Sequence, residues 1–124
     1  PDVAAAKTAL DEAVTASFLK ITGAPVPAAY QAELDANWAA ASDKLEVLIN
    51  EKYIACYSQG LISWNDYRRT GYPDLTVVPD GTNSFDANGE IPRRLPYPQE
   101  ERLLNPTNIP TTTPNLQSRF WWDE

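Results

Sequence analysis

Eight of the eleven prolines in this 124-residue chain fall between Pro73 and Pro114. Each removes a backbone donor, fixes its own φ and biases the preceding residue toward extended conformations. No long helix or central strand can run through such a stretch. The first 72 residues carry only Pro1, Pro25 and Pro27 and show helical periodicity, so two architectures meet near Tyr72. The expected fold is mostly α with a long Pro-rich irregular tail and minor β. It is expected to form one domain, residues 1–72 helical and residues 73–124 extended, turn-rich and packed on the helices.

Asp2 can cap a first helix whose apolar positions Val3, Ala6, Leu10, Val14, Phe18 and Ile21 recur at the three-and-four spacing of one buried stripe. Gly23, Pro25 and Pro27 end it. A second, shorter helix is expected from Ala28 to about Trp38, where Tyr30, Leu34 and Trp38 share a face. In the third, Asp43 followed three residues later by Glu46 has the capping-box arrangement, and Gly60 is the expected C-terminal stop. At 100° per residue Leu45, Leu48, Ile49, Tyr53 and Cys56 line one side of it. Val47, Ile54 and Leu61 project from nearly the opposite side. That helix therefore needs cover on two faces, as an inner helix of a larger helical array does. Cys56, the lone cysteine, cannot form an internal disulfide and is expected to be a small buried apolar residue.

Ser63 is expected to cap a short helix through Trp64, Tyr67 and Arg68, with Gly71 just past its end at a positive φ. Asp66 stands three residues before Arg69, which offers an intrahelical ion pair. Trp64, Tyr67 and Tyr72 around Arg68 and Arg69 predict a cation-stacking cluster that fastens the fold. Beyond it, Leu75-Thr76-Val77-Val78 is a short β-prone run stopped by Pro79, and Asn88-Gly89 predicts a tight turn. A helical turn is expected at Gln99 to Leu104, with Pro98 at its start and Pro106 beyond its end. Such a tail is expected to stay ordered by laying Leu95, Tyr97, Leu103, Leu104, Leu116, Phe120 and Trp121 on a preformed surface.

The composition argues against several functions. A formal charge of −7 and a pI near 4.5 leave no concentrated basic face for nucleic acid or an anionic membrane. With no histidine and one cysteine, Ser/His and Cys/His triads and most zinc sites are excluded within the chain. Asp86 to Glu90 is rich in oxygen ligands but lacks the glycine and the distant glutamate of a calcium loop, so no metal site is expected. Adjacent carboxylates such as Glu100 and Glu101, or Glu33 with Asp35, are not placed to face each other across a glycosidic bond. No phosphate-cradling glycine loop is present, and no cofactor is expected. No apolar run approaches the roughly 18 to 20 residues that span a bilayer. The start at Pro1 and the absence of Met predict a portion of a longer chain.

Two runs carry a resemblance: Trp64-Asn65-Asp66-Tyr67-Arg68-Arg69-Thr70-Gly71-Tyr72-Pro73 and Ile91-Pro92-Arg93-Arg94-Leu95-Pro96-Tyr97-Pro98-Gln99-Glu100-Glu101. With the helix that precedes them, Asn105 and Asn108, and the closing Phe120-Trp121-Trp122-Asp123, they resemble the C-terminal region of the SusD/RagB family of bacterial outer-membrane nutrient-binding lipoproteins. The signature positions are Trp64, Asp66, Tyr67, Arg68, Arg69, Gly71, Tyr72, Pro73, Pro92, Arg94, Tyr97, Pro98 and Glu101. Leu61-Ile62-Ser63 departs from the pattern, standing where such proteins often carry an acidic or small residue before the Trp.

The resemblance implies a non-enzymatic protein, lipid-anchored and surface-exposed at the outer membrane, with tetratricopeptide-like helix pairs. It also implies partners: a glycan or peptide ligand, a SusC-like TonB-dependent transporter to which the ligand is delivered, and the remainder of a longer chain. Ligand-contacting aromatics of that family lie mostly toward the N-terminus and have no counterpart here. Within this chain, the aromatic least committed to packing is Phe85, in the polar loop from Asp80 to Glu90, and it is the candidate ligand contact. The reading from a different class is a structural helical interaction module without a ligand of its own.

Overall fold

The computed structural model describes residues 2–75, 91–109, 116 and 118–123. The chain divides into two compact units, Pro1–Pro73 and Asp74–Glu124. Five α-helices are present among the described residues: α1 (Val3–Thr22), α2 (Ala28–Ala40), α3 (Lys44–Ala55) and α4 (Gly60–Thr70) in the first unit, and α5 (Gln99–Leu104) in the second. No strand occurs among the described residues, and the β-prone run at Leu75 to Val78 lies, apart from Leu75, outside them.

The ends of α1 are set by local chemistry. The Asp2 carboxylate accepts from the Ala4 and Ala5 amides at 3.0 and 3.1 Å, satisfying donors with no partner inside the helix. Gly23 closes the helix at φ 71°, its N–H donating to the Leu19 carbonyl at 3.0 Å. Pro27 precedes α2. The Lys44 ammonium then donates to the Ala41 carbonyl at 2.8 Å and to the Trp38 carbonyl, so a cation from the next helix caps the C-terminal end of α2. Asp43 accepts from the Leu45 amide at 2.9 Å and starts α3.

One core joins the first three helices: Leu10 and Val14 of α1, Leu34 and Trp38 of α2, and Val47 of α3. Burying such a side chain contributes about 1.5 to 3 kcal/mol, and Phe18, Tyr30 and Leu48 extend the cluster at its edges. The Phe18 and Tyr30 rings meet edge to face at 5.0 Å, a geometry that puts a positive ring edge against a negative face. The predicted α1 stripe holds in its middle and fails at its ends, because Val3 and Ile21 lie beyond the reach of the crossing helices and are exposed.

Four expectations are corrected around α3 and α4. Gly60 does not stop α3: the helix ends at Ala55, and Ser58 takes the positive φ, 69°, that reverses the chain. Relieved of that role, Gly60 opens α4, whose first hydrogen bonds run from the Ile62 and Ser63 amides to the Gln59 carbonyl at 2.9 and 3.3 Å. Ser63 therefore lies inside the first turn and is not a cap. The two-faced reading of α3 holds for Val47 and Ile49, which are buried 200° apart around the axis. It fails for Leu45, Tyr53 and Ile54, and for Leu61 on α4, which are exposed. Cys56 sits at the C-terminal cap of α3, half-buried instead of buried, because the helix has ended there.

In the second unit α5 runs from Gln99 to Leu104 behind Pro98, and Pro106–Asn108 form a single 3-10 turn. Helix α5 buries none of its residues. Leu95, Leu103, Leu104 and Trp121, expected to lie on a surface, are all exposed, Trp121 at 95%. Among the described residues of this unit, aromatic and arginine side chains and the Leu116 backbone make the contacts.

Candidate functional site

The signature run folds into α4 and its exit. Arg68 is buried, and its guanidinium lies 3.8 Å from the centre of the Trp64 ring, which replaces lost hydration with a cation–π contact. Its Nη2 donates to Asn65 Oδ1 at 2.6 Å. Tyr67 is half-buried beside it. Of the predicted cation-stacking cluster the Trp64–Arg68 contact is present, while Arg69 pairs with Asp66 and Tyr72 turns to Asp43.

Asp66 is the charged hinge between helices. Its buried carboxylate takes Lys52 Nζ of α3 at 2.8 Å and Arg69 Nη2 of its own helix at 3.1 Å. Burial by itself would raise the Asp66 pKa, and the two cations overcome it and hold the carboxyl below its usual range. Arg69 was expected at this carboxylate from the spacing, whereas Lys52, fourteen residues upstream, was not. No sequence periodicity links positions on two different helices.

At the exit Gly71 adopts φ 75°, and its N–H closes α4 on the Tyr67 carbonyl at 2.8 Å. Thr70 Oγ1 donates to the Asp66 carbonyl at 2.7 Å and accepts from the Tyr72 amide at 3.1 Å. Tyr72 then donates its hydroxyl to Asp43 Oδ2 at 3.2 Å; desolvation and that carboxylate raise its pKa. Pro73 follows through a cis bond and is buried. Asn65, Asp66, Arg68, Arg69, Thr70 and Tyr72 of the run are thus each engaged with described residues of the first unit.

The second run is likewise tied by polar and aromatic contacts. The Arg93 and Arg94 amides both donate to the Leu116 carbonyl, at 2.7 and 3.1 Å. The Arg93 guanidinium pairs with Asp123 Oδ1, and the Asp123 side chain has no solvent access. Asp123 Oδ2 finds no donor among the described residues. Arg94 lies 5.0 Å from the Phe120 ring centre and 5.9 Å from that of Tyr97, while Phe120 stacks parallel on Trp122 at 5.5 Å. Glu101 accepts from Asn105 Nδ2 at 3.2 Å, and Asn105 Oδ1 accepts from Asn108 at 2.5 Å. Pro92 and Pro98 are exposed, Pro98 serving as the residue before α5. Sequence reasoning missed the Arg93–Asp123 pair, whose partners stand thirty residues apart. Phe85 lies outside the described residues.

Two further polar links brace the first unit. Lys7 bridges Asp11 at 2.5 Å and Asp35 at 2.7 Å, with Gln31 donating to both carboxylates. Burial opposes the Lys7 charge, but the two carboxylates outweigh it and raise its pKa. Lys7 and Gln31 in turn lower that of Asp35, the reverse of what a general acid needs. Tyr30 donates to Glu51 at 2.7 Å; burial and that carboxylate push its pKa up to about 12.

Surface depressions lie among the described residues of the first unit. One, about 550 Å³, runs between α1 and α3 and is walled by Ala6, Ala9, Ala13, Leu45, Leu48 and Ile54. Another, about 390 Å³, lies between α2 and α3 and carries Asn37, Glu46, Asn50 and Glu51. Among the described residues no group of three or more histidines, cysteines or carboxylates could hold a metal ion. No helix among them is long and apolar enough to cross a membrane.

Charged residues that join helix to helix, with surface clefts left between the helices, define a helical scaffold. The profile of a family described as "SusD-like: Susd and RagB outer membrane lipoprotein" matches residues 5–123, and the chain belongs to that family. It is a family of outer-membrane, non-enzymatic binding lipoproteins with a nutrient-binding role. No individual curated protein and no solved structure matches the chain.

Proposed function

We propose that this chain is the C-terminal part of a tetratricopeptide-like scaffold that captures a glycan or peptide at the cell surface and delivers it to a SusC-like TonB-dependent transporter. The observation that carries this reading is the family match over nearly the whole chain, residues 5–123. The scaffold character of the signature supports it: Trp64, Asp66, Arg68 and Tyr72 are engaged in fastening α4, so ligand contact falls to residues elsewhere. Within this chain Phe85 is the candidate contact, since an aromatic face is what a pyranose ring stacks on.

The test uses the complete protein that contains this chain. Affinity purification from its native membrane should retain a TonB-dependent transporter, and titration with a panel of oligosaccharides and peptides should show saturable binding to one class. Phe85→Ala should weaken that binding at least tenfold. Loss of neither partner nor ligand in the variant would remove Phe85 alone. Absence of both from the unaltered protein would favour a helical interaction module without a ligand.

A further inference from the structure

We draw no further inference here: the strongest candidate, the apolar groove between α1 and α3 walled by Ala6, Ala9, Ala13, Leu45, Leu48 and Ile54, is an unpartnered face, and nothing in the structure shows what covers it.

Discussion

Lys52 Nζ stands 2.8 Å from Asp66 Oδ2, a contact from α3 to α4 that turns one signature residue into the joint between two helices. The acid is the buried partner, 9% of its side chain accessible, while Lys52 and Arg69 keep 46% and 56% of theirs in water. Solvent therefore screens the cations. The contribution comes mainly from satisfying a carboxylate that cannot reach water.

Asp66→Asn keeps the size and removes the charge, and should cost about 1 to 2 kcal/mol in urea unfolding at neutral pH. Because the folded pKa of Asp66 is lowered, this stability is present above the ordinary carboxyl value of 3.8 and is lost as pH falls through the folded value. The gap between the parent and Asp66→Asn should thus be constant from about pH 5 upward and close below pH 4. A gap that persisted unchanged at lower pH would mean that the effect is not electrostatic.

Trp64→Ala strips the ring from a buried guanidinium. Trp64 is only half-buried, so the expected cost is about 2 to 3 kcal/mol, below that of a fully buried tryptophan. Trp64→Phe keeps an aromatic face over Arg68 and should lose less than half as much. The midpoints of denaturant unfolding for the two variants give the comparison.

Two glycines on α4 should respond with opposite signs. Gly71 holds φ 75°, so Gly71→Ala should destabilise by about 1 kcal/mol through backbone strain alone, since a Cβ there meets nothing within 4 Å. Gly60 opens the helix with equally open space around it, and Gly60→Ala should stabilise by about 0.5 kcal/mol. A loss at Gly60 as large as at Gly71 would restore it as a helix stop. Thermal unfolding of the two variants beside the parent decides this.

Tyr30 titrates late, near pH 12, against an ordinary value of 10.0. Its neutral form is the one that folding favours, so its contribution is fully present below pH 10 and is lost as pH rises toward 12. Tyrosinate absorbance of the parent minus that of Tyr30→Phe should show a transition centred near pH 12. A difference transition at pH 10 would mean that Tyr30 is neither buried nor bonded to Glu51 in solution.

In the second unit Asp123→Ala would remove the Arg93–Asp123 ion pair at a guanidinium only 12% accessible, costing about 3 kcal/mol of local stability. Hydrogen exchange reads it directly. The Arg93 and Arg94 amides, bound to the Leu116 carbonyl, should lose protection while amides inside α1 keep theirs.

Much of the helical framework was readable because helix ends are local events. Asp2, Asp43 and Gly71 act within four residues of the groups they satisfy, and Gln99 to Leu104 is bounded by Pro98 and Pro106. The two signature runs were enough to recognise the family. Gly60 misled because glycine is the commonest residue for a left-handed stop, yet Ser58 had already made the turn. The apolar faces of α3 were judged by periodicity alone, which gives the direction of a side chain but not whether another element crosses there. Tyr53 and Ile54 point outward past the end of the shared core.

The sequence by itself determined where α1, α2 and α5 run, which residue closes α4, and to which family the chain belongs, since each rests on neighbours along the chain or on a recognisable string of residues. Tertiary structure decided which of the chain's polar groups meet: Lys52 with Asp66, Tyr30 with Glu51, Lys7 with Asp35 and Arg93 with Asp123. Their partners lie 14 to 30 positions apart. No local spacing encodes such pairs, because they exist only once packing has brought separate segments of the chain within hydrogen-bonding distance.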